Sequence, residues 1–509
     1  MIQEMNNKVA PIDSVHHQAW KPEQRKPRRR SIIREFALNT STHGLPGIAR
    51  SESKHNCLFW TASFVVFLAV MTFFITQSIR DYFSYPTQTT LSYVVERSQA
   101  FPAVTFCNYM PARYDHLIID VLNYTNSLGI TNTSDTTTFT VSQAVAIREF
   151  LRHKLDANQS ITEYFFSIDS MLINCTYNNL QCTSSDFITF LSSRYGSCYT
   201  FNAKLKNTSY TGIRYTNDNG GVGQLKLRLY AHSSLYVPYI SEEVAAGMVV
   251  MIHDNTQFPQ IDIVGMNLAP GFKHQLNYRK KANYFLSAPY TDCTDKIPLA
   301  MKAMFDRYEG AHYAYSQSAC FTLCVQAYIY QECGCVSPVE WSARSVAVPG
   351  TNRIVVASLC AAENPCYTEA AIRLSNSTDL WDEFCSDCTQ ECTKIEYLVT
   401  PSLSKAPSTY FAYVTKAFVE ASSVPLPTNW STNWITEVEQ NFVSVEIMCE
   451  SIQVENYTQE ASLNAAGVLS NVGGLSGLWI GVSFLSIMEF VEMLYRLLRR
   501  QYQIYCYGA

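Results

Sequence analysis

The chain has 509 residues, of which 16% are charged, with 17 cysteines and a formal net charge of −5. Average soluble domains carry roughly 25% charged residues, and here two charge-free windows, residues 55–79 and 461–488, hold the apolar excess. Each is longer than the roughly 20 residues that cross a bilayer, which excludes an ordinary soluble enzyme. Residues 1–54 carry +5 and residues 489–509 carry +1, so the span between them holds −11 and nucleic-acid binding is excluded as well.

In chain order, a basic stretch, Lys21 to Arg34, precedes the first window. Cys57 to Ile79 starts too late and runs too long for a signal peptide, so residues 55–80 read as a retained transmembrane helix. The positive-inside rule places residues 1–54 in the cytoplasm. Residues 81–460 then lie outside, and 461–490 bring the chain back to a cytoplasmic 491–509. The whole reads as a multi-pass plasma-membrane protein with both termini cytoplasmic and the lipid bilayer as a partner.

Two features support an extracellular middle. Glycosylation sequons occur at Asn123, Asn132, Asn158, Asn174, Asn207, Asn376, Asn429 and Asn456. A ninth, Asn39, falls on the cytoplasmic side and is expected to stay bare. Fifteen cysteines lie in this segment, a density that reads as a disulfide framework in an oxidising compartment. Strand-like runs occur at 197–204, 224–230, 246–253, 393–400 and 442–449. Helical spacing occurs at 141–155, 297–308 and 316–330. The mixture predicts an α+β ectodomain.

Cys320 and Cys324 are four apart in a helical stretch and face one side. An extended partner carrying Cys385 and Cys388 is expected to bridge to them like rungs. Cys385-x-x-Cys388-x-x-x-Cys392 also has thiolate-ligand spacing for zinc, but the compartment and the supply of partner cysteines favour bridges. No metal, cofactor or catalytic constellation is expected: there is no HExxH, no GxSxG and no phosphate-binding loop.

The second window reads ASLNAAGVLSNVGGLSGLWIGVSFLSIM, with Gly, Ser and Asn early and bulky apolars late. One reading is a packing seam, because small residues permit close helix approach. The other is a pore wall, broken at Gly481-Val482-Ser483 so that backbone carbonyls and a hydroxyl face an ion. Glu489 and Glu492 then form carboxylate rings in an oligomer or serve as interfacial anchors. Both readings stay open on spacing alone.

The residues resemble the degenerin/epithelial sodium channel superfamily along nearly the whole chain. The resemblance rests on His43-Gly44, FPAVTFCN (101–108), GSCYTFN (196–202), YSQSAC-x3-C-x8-C-x-C (315–335), C-x2-C-x3-C-x4-Y (385–397) and GLWIGVSFLSIMEF (477–490). It implies a homotrimer around a central pore, each subunit with palm, finger, knuckle and thumb regions, passing sodium ions and blocked by amiloride. It implies second spans interrupted at Gly481-Val482-Ser483, a lower pore formed by the segment with His43-Gly44, and Ser470 at the small-residue position that governs opening. Seven bridges follow from it: Cys107–Cys198, Cys175–Cys182, Cys293–Cys392, Cys320–Cys388, Cys324–Cys385, Cys333–Cys366 and Cys335–Cys360, leaving Cys449 over. Tyr85 and Tyr290 match an aromatic contact that couples thumb to pore.

Acid-sensing members gather several carboxylates between finger and thumb. Here Glu242 and Glu243 fall near part of that cluster, and the thumb stretch 337–350 offers only Glu340. The pore stretch, with Trp479 and Met488, is most similar to the invertebrate FMRFamide-gated channels. The expectation is therefore gating by a short RF-amide neuropeptide, with acid or another ligand as the alternative. An ATP-gated two-span trimer and a two-span adhesion protein are the alternatives from other classes.

Overall fold

The computed structural model describes residues 29–206, 212–217, 221–238, 245–308, 310–348, 351 and 353–507. Glu242, Glu243 and Asn207 lie outside the described residues, as does most of the basic stretch before Arg29. The chain divides into two compact units, one of residues 1–86 and 462–509, the other of Thr87–Ala461.

The larger unit is built on two sheets. One has eight strands in the order Thr87–Val95, Gln453–Ala461, Phe272–Tyr284, Phe442–Cys449, Leu225–Tyr230, Leu172–Tyr177 and Leu180–Gln181, with Thr393–Lys405 also paired to Phe272–Tyr284. The other has five, in the order Met266–Leu268, Met248–His253, Ala103–Asn108, Gly196–Phe201 and Phe187–Ser192. Leu225, Leu227 and Leu229 are fully buried while Lys226 and Arg228 between them are half-buried, the period-2 signature of a strand with one face inward. Those leucines join Val104, Phe106, Val443, Val445 and Ile447 in a core between the sheets. Ala103–Asn108 and Gly196–Phe201 are buried on both faces, because helices cover the far side of the five-stranded sheet.

That cover includes the helix Gln317–Cys333. Ser316 caps it, its side chain accepting from the Ala319 N–H, and Gly334 ends it in the left-handed region at φ +71°. Its buried Ala319, Cys320, Leu323 and Cys324 pack with Met301, Met304 and Phe305. All seven pairs named above are bonded, five of them between Cys293 and Cys392. The partner of Cys320 and Cys324 is not extended, contrary to expectation. Cys385 ends the helix Thr378–Cys385, and the Cys388 N–H closes a turn onto the Cys385 carbonyl. A helix end and a turn present the two sulfurs to one neighbour as well as a strand does. With Cys385, Cys388 and Cys392 all oxidised, no thiolate set remains for zinc.

In the smaller unit, Lys54–Phe83 is one helix of 30 residues, long and apolar enough to cross a membrane. Ser53 caps it, accepting from the Asn56 N–H. The return segment is not one straight helix. Ala465–Ile480 and Phe484–Tyr507 meet at a break and are bent by 71°. Two short helices, Arg29–Asn39 and Leu45–Arg50, complete the unit.

Candidate functional site

The break falls on Gly481, Val482 and Ser483. Gly481 sits at φ +69°, a conformation that glycine adopts without steric cost. Its N–H bonds to the Gly477 carbonyl at 3.0 Å, and the Val482 N–H reaches back to the Ser476 carbonyl at 3.1 Å. This is a glycine-terminated helix end that satisfies carbonyls otherwise orphaned. Ser483 and Ser486 then cap the next helix reciprocally. The Ser486 N–H donates to Ser483 Oγ at 3.3 Å, and the Ser483 N–H donates to Ser486 Oγ at 3.0 Å.

Hydroxyls serve the freed carbonyls. Ser476 Oγ donates to the Val482 carbonyl at 3.3 Å, and Ser486 Oγ donates to the Gly481 carbonyl at 3.4 Å. Non-helical backbone at membrane depth requires such internal satisfaction or a wet cavity.

The loop Thr40–Gly44 packs onto this break. The His43 N–H donates to the Ile480 carbonyl at 2.7 Å. A Cβ on Gly481 would lie 2.7 Å from the His43 ring, so glycine is required there by space as well as by φ. Gly44 takes φ +87°, and a Cβ there would meet Phe64 at 3.0 Å. Glu489 fixes the same loop. Its Oε2 accepts from Thr40 Oγ1 at 2.9 Å, from the Ser41 N–H at 3.1 Å and from Ser41 Oγ at 3.4 Å. Ser41 Oγ also lies 2.5 Å from Ser486 Oγ. Glu489 is the acceptor that staples the loop to the broken helix. Glu492 is exposed, 4.0 Å from Arg496, which is held bidentately by Glu35 at 2.9 and 3.2 Å.

Above the break the helix Ala465–Ile480 packs on Lys54–Phe83. Trp479 stacks with Phe67 and Phe74 at centroid distances of 6.0 and 6.2 Å. Ser470 is exposed and lines a cavity of about 510 Å³ with Asn471, Gly474, Phe74 and Ser78. Cβ atoms added at Gly473, Gly474 or Gly477 would meet nothing within 4 Å.

The remaining expected residues are placed as follows. Tyr85, next to last in the first segment of this unit, sits at φ +49°. Tyr290 lies in the other unit, its N–H on the Ser287 carbonyl at 3.2 Å. Asn123, Asn132, Asn158, Asn376 and Asn429 are exposed; Asn174 and Asn456 are half-buried in strands, and the Asn456 amide oxygen is buried without a partner. Cys449 is buried outside any disulfide, its Sγ donating to the Ser451 carbonyl at 3.1 Å and to Gln99 Oε1 at 3.4 Å; Cys57 and Cys506 are also outside the disulfides.

In the larger unit Glu340 has a neighbour that sequence reading missed. Burial pushes its carboxyl up to about 7, and the neighbouring Asp262 adds to the rise. Asp262 is itself raised by burial, against a 2.5 Å hydrogen bond from Ser192 Oγ and the charge of Arg194. Thr40, Ser41 and Ser486 were missed as well; the polar run Thr40-Ser41-Thr42 beside His43 was their only local signal.

Comparison with known proteins bears on both units. The family described as amiloride-sensitive sodium channel matches residues 36–493. Acid-sensing ion channel 1C of Danio rerio is 27% identical over 490 residues, covering 92% of this chain and 84% of that protein. Acid-sensing ion channel 1 of Gallus gallus is 28% identical over 488 residues, with the same coverage of 92% and 84%. The degenerin-like protein asic-2 of Caenorhabditis elegans is 23% identical over 490 residues, covering 91% and 86%.

Proposed function

Because this chain belongs to the amiloride-sensitive sodium channel family, we propose that it forms a plasma-membrane, amiloride-blocked sodium channel opened by a short neuropeptide ending in RF-amide. The pore part of this reading is carried by one observation: the helix break at Gly481-Val482-Ser483, capped by His43 and stapled through Glu489. Three such breaks around an axis would ring the pathway with carbonyls and hydroxyls, a device that replaces an ion's hydration shell. Residues 55–80 and 461–490 would be the spans, 81–460 the outer domain, and 1–54 and 491–509 the cytoplasmic ends of each subunit in a homotrimer.

Peptide gating is supported by the likeness of 477–490 to peptide-gated members, with Trp479 stacked at the centre of that stretch. A cationic ligand also suits the −11 balance of residues 55–488. Voltage clamp of cells expressing this chain alone tests the reading, with RF-amide peptide, acid, sodium replacement and amiloride applied in turn. A sodium current evoked by peptide and blocked by amiloride is expected; a robust acid current with silence to peptide would sink the peptide reading.

Acid is the second reading, favoured by the Glu340–Asp262 pair. Burial raises both carboxyls, and Asp262 adds to the rise of Glu340, which takes up a proton at about 7. The relatives named acid-sensing point the same way. In our reading this pair modulates a channel that peptide opens.

A further inference from the structure

The larger unit holds a cleft of about 1020 Å³ between the strand Met248–His253 with its following turn, the start of the helix Gln317–Cys333, and the strand Thr393–Lys405. That is the upper end of the roughly 300–1,000 Å³ typical of ligand pockets, and room for several amino-acid residues. Four carboxyls line it: Asp254, Asp295, Glu391 and Glu396. Glu396 is occupied, 2.8 Å from Lys394, the lysine of the same lining.

The other three are pinned but uncompensated. Asp254 Oδ1 accepts from the Thr256 N–H at 2.9 Å, Asp295 Oδ1 from the Cys392 N–H at 3.1 Å, and Glu391 Oε1 from the Gln317 N–H at 2.9 Å. Among the described residues none of these three makes an ion pair with a lysine, arginine or histidine. Each therefore keeps one oxygen fixed and the other available. Asp254 and Glu391 are half-buried and Asp295 is exposed at the mouth; carboxylates already fixed by hydrogen bonds attract a cation at little ordering cost. Tyr315, Phe321 and Tyr397 supply aromatic wall between them.

We propose that this cleft is the docking site of a short cationic peptide. The peptide's guanidinium lies against Asp254, Asp295 and Glu391, and its aromatic ring against Phe321 and Tyr397. The proposal rests on the peptide-gated reading and adds to it a place and a lever. Glu391 and Asp295 flank the Cys293–Cys392 bond, where the stapled helices join the strand Thr393–Lys405. A cation that draws both toward Asp254 loads that junction directly.

The test is the concentration dependence of RF-amide peptide currents in the full-length channel, at densities equalised by surface labelling. Asp254→Asn, Asp295→Asn and Glu391→Gln keep the accepting oxygen and remove only charge. Each should raise the half-activating concentration about ten-fold, the loss of one charge-assisted contact. A peptide with citrulline in place of arginine should no longer distinguish wild type from variants. Val264→Trp, at a rim position 56% exposed, narrows the mouth without disturbing the core and should weaken the response too. Peptide currents with unchanged half-activating concentrations in the charge variants and in Val264→Trp would overturn the cleft and leave peptide gating standing. A channel silent to peptide but open to another stimulus would overturn both. Protection of Gln257→Cys from a membrane-impermeant thiol reagent in peptide-free channels would show a neighbouring subunit in the cleft, and would also overturn the proposal.

Discussion

The two units solve the problem of holding a shape by opposite means. The larger carries seven disulfides and sheet cores sealed on both faces. The smaller contains no disulfide among its described residues, and its long helix Lys54–Phe83 buries no residue within the chain. Its break is held by hydrogen bonds from hydroxyls and backbone to a few carbonyls and one carboxylate. Covalent rungs suit a part that must transmit force without yielding; exchangeable hydrogen bonds suit a part that must rearrange. On this contrast, single substitutions in the larger unit act chiefly on assembly, while those in the smaller act chiefly on conduction.

The largest effect should come from removing one rung. Cys324→Ser with Cys385→Ser costs about 2–5 kcal/mol and should sharply reduce surface-labelled protein, while the channels that arrive keep their selectivity. Normal delivery with altered selectivity would reverse the contrast. Next is Gly481→Ala. It forces a Cβ 2.7 Å from the His43 ring at φ +69°, a strain of about 1–3 kcal/mol. Sodium current per surface channel should fall at least ten-fold (about 1.4 kcal/mol) with delivery intact.

Glu489→Gln keeps an accepting oxygen but removes the charge from three bonds, a loss of about 1–2 kcal/mol. A reduced sodium-to-potassium permeability ratio is expected in reversal-potential measurements. Ser483→Ala removes one cap of the second helix, worth about 1 kcal/mol, and should lower unitary conductance; unchanged permeation would count against the pore assignment.

The smallest effect concerns pH. Glu340 titrates at about 7 in the fold against an ordinary 4.5, so the fold favours its neutral form. As pH rises from 4.5 to 7 the unfolded chain ionises first and this stabilisation is lost, with no further change above 7. Because the folded-state carboxyl itself changes charge around pH 7, peptide currents should shift modestly between pH 6 and 8, and Glu340→Gln should flatten that shift.

Legibility in the sequence divided along physical lines. Leu225–Tyr230 showed itself because one face is buried and the leucines alternate with Lys226 and Arg228. Ala103–Asn108 shows no alternation because both faces are covered. Phe272–Tyr284 escaped for a different reason: Arg279, Lys280 and Lys281 interrupt its apolar pattern, and in the fold the two lysines project to Glu96 at 2.9 Å and Glu396 at 3.7 Å. The break itself was readable because glycine and serine are improbable in a lipid-facing helix. What holds the break was not. Thr40 and Glu489 are 449 residues apart, as Glu340 and Asp262 come from separate segments, and no local pattern marks such pairs.

The five bridges from Cys293 to Cys392 are strictly nested: Cys335–Cys360 lies inside Cys333–Cys366, that inside Cys324–Cys385, that inside Cys320–Cys388, and all inside Cys293–Cys392. Nesting shortens the loop that each bond has to close. The innermost pair closes a loop spanning 25 residues; once it is shut, the next pair has only a few mobile residues to bring together on either side. Each bond thus lowers the entropic cost of holding the one outside it. The outermost bond, Cys293–Cys392, ties together the two segments that bring Asp295 and Glu391 to the cleft, so the cleft wall is held by the widest of the nested loops.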